Sequence, residues 1–223
     1  MKANDDKLGG GAASFSNWRA LIEANLGRAS AQRVRALFRE MNPHLEGDKS
    51  FESRWTNNRK DAAVLVPIID RPEEPTVLLT VRSPDMPSHA GQISFPGGRI
   101  HPDDKDAVHA ALREAEEEVG IPPAGVDVIG TLGLHLGGIG FSVTPVVGVV
   151  APSSEWRPCP REVAEIFEVP LFFFADENNH ITEERDLNGV KYNMFAAPYG
   201  RYHIWGLTAG ILRTLGEVLR ESE

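Results

Sequence analysis

The chain has 223 residues, 41% of them hydrophobic and 25% charged, with a formal net charge of −9 and a pI near 5.3. That composition suits one sizeable packed domain and excludes global disorder. The acidic balance argues against a mainly electrostatic partner for nucleic acid or a membrane surface. It leaves an anionic substrate open, because a bound cation can invert the local field.

Residues 1–14 (MKANDDKLGGGAAS) are polar and Gly/Ala/Ser-rich and read as a mobile tail. They hold no hydrophobic signal core, and no apolar run reaches the roughly 18 residues of a membrane helix, so a cytoplasmic location is expected. Leu21, Ile22, Leu26, Val34, Leu37 and Phe38 recur at helical spacing, predicting two short helices over 16–39, parted near 27–30. A polar connection follows over 40–60. AAVLVPII (62–69) and TVLLTVRS (76–83) read as strands separated by the turn-like DRPEEP, and GQISFPGG (91–98) as a strand ending at a Gly pair. An acidic helix is expected from about 104 to 119, stopped by Gly120 and Pro122. VDVIGTLG (126–133) and SVTPVVGVVAP (142–152) read as strands. Residues 162–176 read as an extended segment followed by a short helix, 190–197 with 201–207 as a hairpin, and 206–222 as a closing amphipathic helix. Strands, a helix, more strands and a final helix suggest a mixed-sheet α/β sandwich rather than regular βαβ winding. The single cysteine, Cys159, allows no intrachain disulfide and no Cys-rich zinc site.

The acidic helix carries the chemistry. At 100° per residue, Val108, Ala111, Leu112, Ala115 and Val119 form one apolar stripe. Glu114, Glu117 and Glu118 stand at i, i+3 and i+4 and share a second face, while Glu116 points to solvent. Arg113 lies four residues before Glu117 and can pair with it. Like charges at this spacing destabilise a helix by a few tenths of a kcal/mol unless something offsets them. The helix follows Gly97-Gly98, where the backbone can approach a ligand and present a carbonyl. Clustered carboxylates beside a bare carbonyl suit a hard divalent cation such as Mg²⁺, which typically bridges to substrate phosphates.

Gly98 together with REAEEEVGI (113–121) resembles the Nudix box, the signature of Nudix hydrolases. The family pattern is Gly, five residues, Glu, seven residues, then Arg-Glu-apolar-any-Glu-Glu-any-Gly-apolar. The second half matches at every position. In the first half Arg113 falls 15 residues after Gly98, one more than the pattern, and the upstream Glu is replaced by Asp104 or Lys105. LLTVRSPDMPSHAGQISFPGG (78–98) is similar to the segment preceding the box in coenzyme A pyrophosphatases, with Arg82, Ser83, His89, Gly91 and Gln92 matching. Pro87 departs, standing where that branch often has a basic residue.

The resemblance implies a Nudix-type α/β/α sandwich with a mixed sheet over 56–223, preceded by an N-terminal helical extension over 15–55. It implies a hydrolase that cleaves the pyrophosphate bond of coenzyme A or its thioesters with Mg²⁺ or Mn²⁺. Glu114, Glu117, Glu118 and the Gly98 carbonyl would hold metal. Glu114, Arg113 and Glu117 would form the catalytic set, with Glu162 or Glu165 as an alternative proton acceptor. Arg82, Ser83, His89 and Gln92 would bind substrate, Arg82 suiting a phosphate through its planar fork. A small-molecule partner is expected, with no nucleic acid and no membrane; dimers are common in the family, so a homodimer is among the expectations. The competing readings are a Nudix enzyme for ADP-ribose, NADH or another nucleoside diphosphate derivative, and a non-catalytic nucleotide sensor.

Overall fold

The computed structural model describes residues 17–48, 59–137, 140–153, 155–187 and 189–220. The expected tail over 1–14 lies outside them. Two long apolar strands form the spine. β1 (Lys60–Ile69) and β7 (Phe141–Val150) run parallel in register from Lys60↔Phe141 to Ile69↔Val150. Both are nearly continuous runs of aliphatic residues because both faces of the sheet are covered. The other neighbours are antiparallel. β2 (Thr76–Arg82) pairs β1, and β8 (Val163–Pro170) pairs β2. β5 (Val126–Thr131) and a short β6 (His135–Gly137) pair β7. The sheet is therefore mixed, as expected.

The stretch over 91–98 is not one strand. It splits into β3 (Ile93–Ser94), paired with β2, and β4 (Gly97–Arg99), paired with β1. The break falls at Phe95-Pro96. Proline has no N–H to continue a ladder, so the chain steps across to the next strand, where the Pro96 carbonyl accepts from Leu65 N (2.9 Å). That step brings Gly98 beneath the acidic helix.

Three helices cover the sheet. α1 (Trp18–Asn25) and α4 (Gly206–Leu219) lie on one face, where Trp18, Ile22 and Ala29 join Ile211, Leu212 and Leu215 in a core with Val66, Ile68 and Leu79. α3 (Ala107–Val119) lies on the other, burying Ala110, Ala111, Ala115 and Val119 against Ala63, Leu65, Leu78 and Val146. This is the α/β/α sandwich. Before it, α2 (Ala31–Met41) is capped by Ser30, whose Oγ accepts from Arg33 N. The described N-terminal segment shares the core, with Asn25 Nδ2 donating to the Val218 carbonyl (3.0 Å). Ile22 is fully buried, so Ile22→Ala is expected to cost about 2–5 kcal/mol, visible as a lower midpoint in urea unfolding.

A small second sheet follows β8, made of β9 (Ile181–Leu187), β10 (Val190–Tyr199) and β11 (Tyr202–Trp205). The β10–β11 hairpin was expected; β9 was not. Its sequence, ITEERDL, has no apolar alternation, and only pairing with β10 makes it a strand. Among the described residues no helix is long and apolar enough to cross a membrane.

Candidate active site

The site forms where β2, β4 and α3 meet. α3 begins at Ala107, three residues later than the pattern suggested, because Asp106 caps it by accepting from His109 N (2.8 Å). This frees Asp104 from the helix. Asp104 accepts from Arg113 Nε (3.1 Å) and Nη2 (3.0 Å), from the His101 backbone N–H (2.8 Å), and pairs with His109 Nδ1 (2.8 Å). The Arg113 guanidinium and these N–H donors hold its carboxyl well below the usual carboxylate range. Asp104 therefore takes the place of the upstream acid of the family pattern. At the other end Gly120, at φ 73°, provides the left-handed residue that closes the helix.

Arg113 is a hub. Besides its two bonds to Asp104, it donates from Nη1 to Glu114 (2.9 Å) and Glu117 (3.3 Å) and from Nη2 to the Arg99 carbonyl (3.3 Å). The predicted Arg113–Glu117 pair is thus present, as one arm of a larger network.

The three carboxylates do not share one environment, as equal positions on a face would have required. Glu117 is exposed, with its side chain 60% accessible, and Glu114 is half-buried. Glu118 is buried, at 3% exposure. Burial, with the Glu114 and Glu162 charges, pushes the Glu118 carboxyl up to about 8, against the opposing pull of the Arg82 charge and a hydrogen bond from the Gly97 backbone. Burial also raises Glu114, opposed by Arg113. The signal for Glu118 was present in the sequence: seven residues after Ala111, it falls about 20° from that alanine on the helical wheel, on the apolar stripe itself.

Gly98 lies directly beneath Glu114. A Cβ added there would stand 2.5 Å from Glu114 Oε1. Gly98, the predicted carbonyl ligand, and the first box carboxylate are therefore packed so closely that only a glycine leaves the carboxylate room.

Arg82 ends β2 near Glu118, and its buried Nε has no hydrogen-bond partner. Ser83 is buried, and its backbone N–H donates to the Glu162 carbonyl (2.8 Å), bringing that acid to the cluster. His89 has φ 58°, a strained region for a non-glycine residue, and its Nδ1 meets Gln92 Oε1 at 2.9 Å. Both side chains sit on the loop that folds back to Arg82, where Gly91 N donates to the Arg82 carbonyl (3.1 Å). Of the two alternative acids, Glu162 acts electrostatically on both Glu114 and Glu118. Glu165 is turned away. Glu165 opposes Val81 in the regular β2–β8 ladder, and a bulge just beyond it sets Val163 opposite Arg82. Glu165 is instead bonded to Arg201 and to Tyr202 OH.

Among the described residues no three acidic, His or Cys side chains stand close enough to enclose a cation as they are. The donor set nonetheless fits one chemically. Glu118, Glu114 and Glu162 repel one another around a buried carboxyl, and that repulsion is what a divalent cation would relieve.

The NUDIX domain family model matches residues 59–186. The chain is 44% identical over 163 residues to the uncharacterized Nudix hydrolase NudL of Escherichia coli K12, a match covering 73% of this chain and 84% of that one, and equally similar to NudL of Cronobacter sakazakii. Among solved structures the chain is similar to a MutT/nudix family protein from Enterococcus faecalis (16% identity, TM-score 0.46, covering 79% of this chain and 71% of that one). Another is an Ap4A hydrolase from C. elegans (23%, TM-score 0.42, covering 50% and 80%). The chain belongs to the Nudix hydrolase family, whose members act on small nucleotide substrates with divalent metal ions.

Proposed function

We propose that this chain hydrolyses the pyrophosphate bond of coenzyme A or its thioesters, releasing adenosine 3′,5′-bisphosphate and phosphopantetheine or its acylated form. The observation that carries the reading is Arg82, a half-buried side chain whose buried Nε is unpartnered and whose charge acts on Glu118 in the carboxylate cluster. A planar cationic donor facing carboxylates suits a diphosphate held between it and a cation. The choice of coenzyme A rests on the 78–98 segment, in which Arg82 stands.

A divalent ion, Mg²⁺ or Mn²⁺, bound by Glu114, Glu117, Glu118 and the Gly98 carbonyl would draw charge off the two phosphates. Arg82 anchors a phosphate oxygen. As the water oxygen bonds to phosphorus and the bridging P–O bond breaks, Glu114 takes the water's proton. Arg113 holds that carboxylate in place through Nη1 while its other nitrogens are fixed by Asp104. Glu162 is the second acceptor within reach of the cluster, and Glu165 is not. Both Glu114→Gln and Glu118→Gln should lower turnover at least ~100-fold.

The test is a reaction panel with Mg²⁺ or Mn²⁺ and coenzyme A, dephospho-coenzyme A, ADP-ribose and NADH, with products separated by chromatography. Coenzyme A is expected to be cleaved best. Preference for ADP-ribose or NADH would keep the hydrolase and discard the substrate; no cleavage with either metal would favour a nucleotide sensor.

A further inference from the structure

On the opposite face of the β2 end from Glu118 lies a second cleft of about 390 Å³, lined by Val81, Gly91, Ile93, Glu165, Arg201, Tyr202, His203 and Trp205. Val81 and Arg82 are consecutive on β2 and so point to opposite faces. The cleft and the carboxylate cluster therefore share one strand end and one loop, with Gly91 lining the first and its N–H closing on the Arg82 carbonyl beside the second.

The walls have two characters. Val81, Ile93, Trp205 and Tyr202 are apolar or aromatic, and Tyr202 is stacked on Phe167 at 3.7 Å, which fixes its ring. The rim is ionic. Arg201, at the tip of the β10–β11 hairpin, donates to Glu165 and to Tyr202 OH (3.0 Å), using Nη2 for both. Its Nε and Nη1 have no hydrogen-bond partner among the described residues, and its side chain is 73% exposed. His203 stands beside it on the rim, next to Glu183 (3.2 Å). Arg185, over the Trp205 ring, is already matched by Glu183 (2.8 Å).

An apolar slot with a half-free guanidinium fork at its mouth suits a planar base carrying a phosphate beyond the scissile diphosphate. A pantetheine arm has no charge to place there. Resting on the coenzyme A reading, the geometry points to this cleft as the subsite for the 3′-phosphonucleoside half, with Arg201 as the residue that selects for the 3′-phosphate and Glu165 as the anion that phosphate displaces. Arg82 is then left to the diphosphate, on the carboxylate side. Volume supports the assignment, since sites for drug-sized ligands start near about 300 Å³.

The two partners give variants of opposite sign. Arg201→Ala is expected to reduce the ratio of kcat/KM for coenzyme A over dephospho-coenzyme A by about 10–100-fold, the size of one lost charge-assisted contact, with Arg201→Lys keeping part of it. Glu165→Gln removes the competing charge but keeps an acceptor for Tyr202 OH, and is expected to raise the same ratio. Calorimetry on the full chain without metal gives a second readout: adenosine 3′,5′-bisphosphate should bind more tightly than AMP, and Arg201→Ala should erase the difference. A wild-type preference for coenzyme A that survives Arg201→Ala overturns the subsite and leaves the substrate standing. A wild-type protein that does not prefer coenzyme A overturns both.

Discussion

Replacing Glu118 with glutamine is expected to cut turnover at least ~100-fold and, in the metal-free protein, to raise the melting temperature at pH 9. The two effects have one cause. Glu118 is buried between the sheet and α3, and its carboxyl is pushed up to about 8 from its ordinary 4.5. Below pH 4.5 the folded and unfolded chains both hold this proton. Between 4.5 and about 8 the unfolded chain has released it and the folded chain has not, so stability falls as pH rises. Above 8 the loss is complete, on the order of 5 kcal/mol at about 1.36 kcal/mol per pKa unit. Glutamine carries no charge, and its carbonyl can keep the hydrogen bond from Gly97. The variant should therefore melt close to wild type at pH 5 in EDTA and above it at pH 9. A divalent cation should stabilise wild type more than the variant, because ligands that bind only the folded state stabilise it by mass action. Equal melting of the two proteins at both pH values would show that Glu118 is not held in a charge-hostile site.

That conflict between stability and charge explains which parts of the site could be read from the chain. The box residues declared themselves through spacing: Arg113, Glu114, Glu117 and Glu118 on one helix, and Gly98 ahead of it. Their division of labour did so only in part: the wheel angle of Glu118 carried its burial, but periodicity fixes angle and not depth. Glu118 shares the angle of Ala111 and is buried, while Glu117 is left in solvent. Asp104 looked like a helix residue because acids suit a first turn; its bidentate bond to Arg113 depends on a loop whose path no periodicity encodes. The large strands were legible because both their faces are buried and aliphatic. β9 was not, since its pairing with β10 lies in the partner rather than in its own side chains. Glu165, the alternative to Glu162, does not join the carboxylates because it opposes Val81 in the ladder and so lies on the other face of the sheet from Arg82. That pairing delivers it to Arg201 at the second cleft.

Gly98→Ala is expected to lower turnover by about 10–100-fold with little change in melting temperature. The methyl group would arrive 2.5 Å from Glu114 Oε1, 2.6 Å from its Cδ and 2.8 Å from Oε2. Backbone strain plays no part, because Gly98, unlike Gly120 at φ 73°, is not among the glycines with positive φ. What yields is the carboxylate, the free end of a flexible side chain, so the fold survives and the geometry does not. Moving Glu114 also disturbs its 2.9 Å bond from Arg113 Nη1, the contact that orients it. Displacements near 1 Å of a reacting group are enough to cost about 100-fold. Gly120→Ala places its penalty in the backbone instead, roughly 1 kcal/mol, and should lower the melting temperature. Steady-state kinetics and thermal melts on the two alanine variants separate the effects. A Gly98→Ala protein with wild-type kcat would mean that the Glu114 carboxylate, as held here, is not where the water gives up its proton.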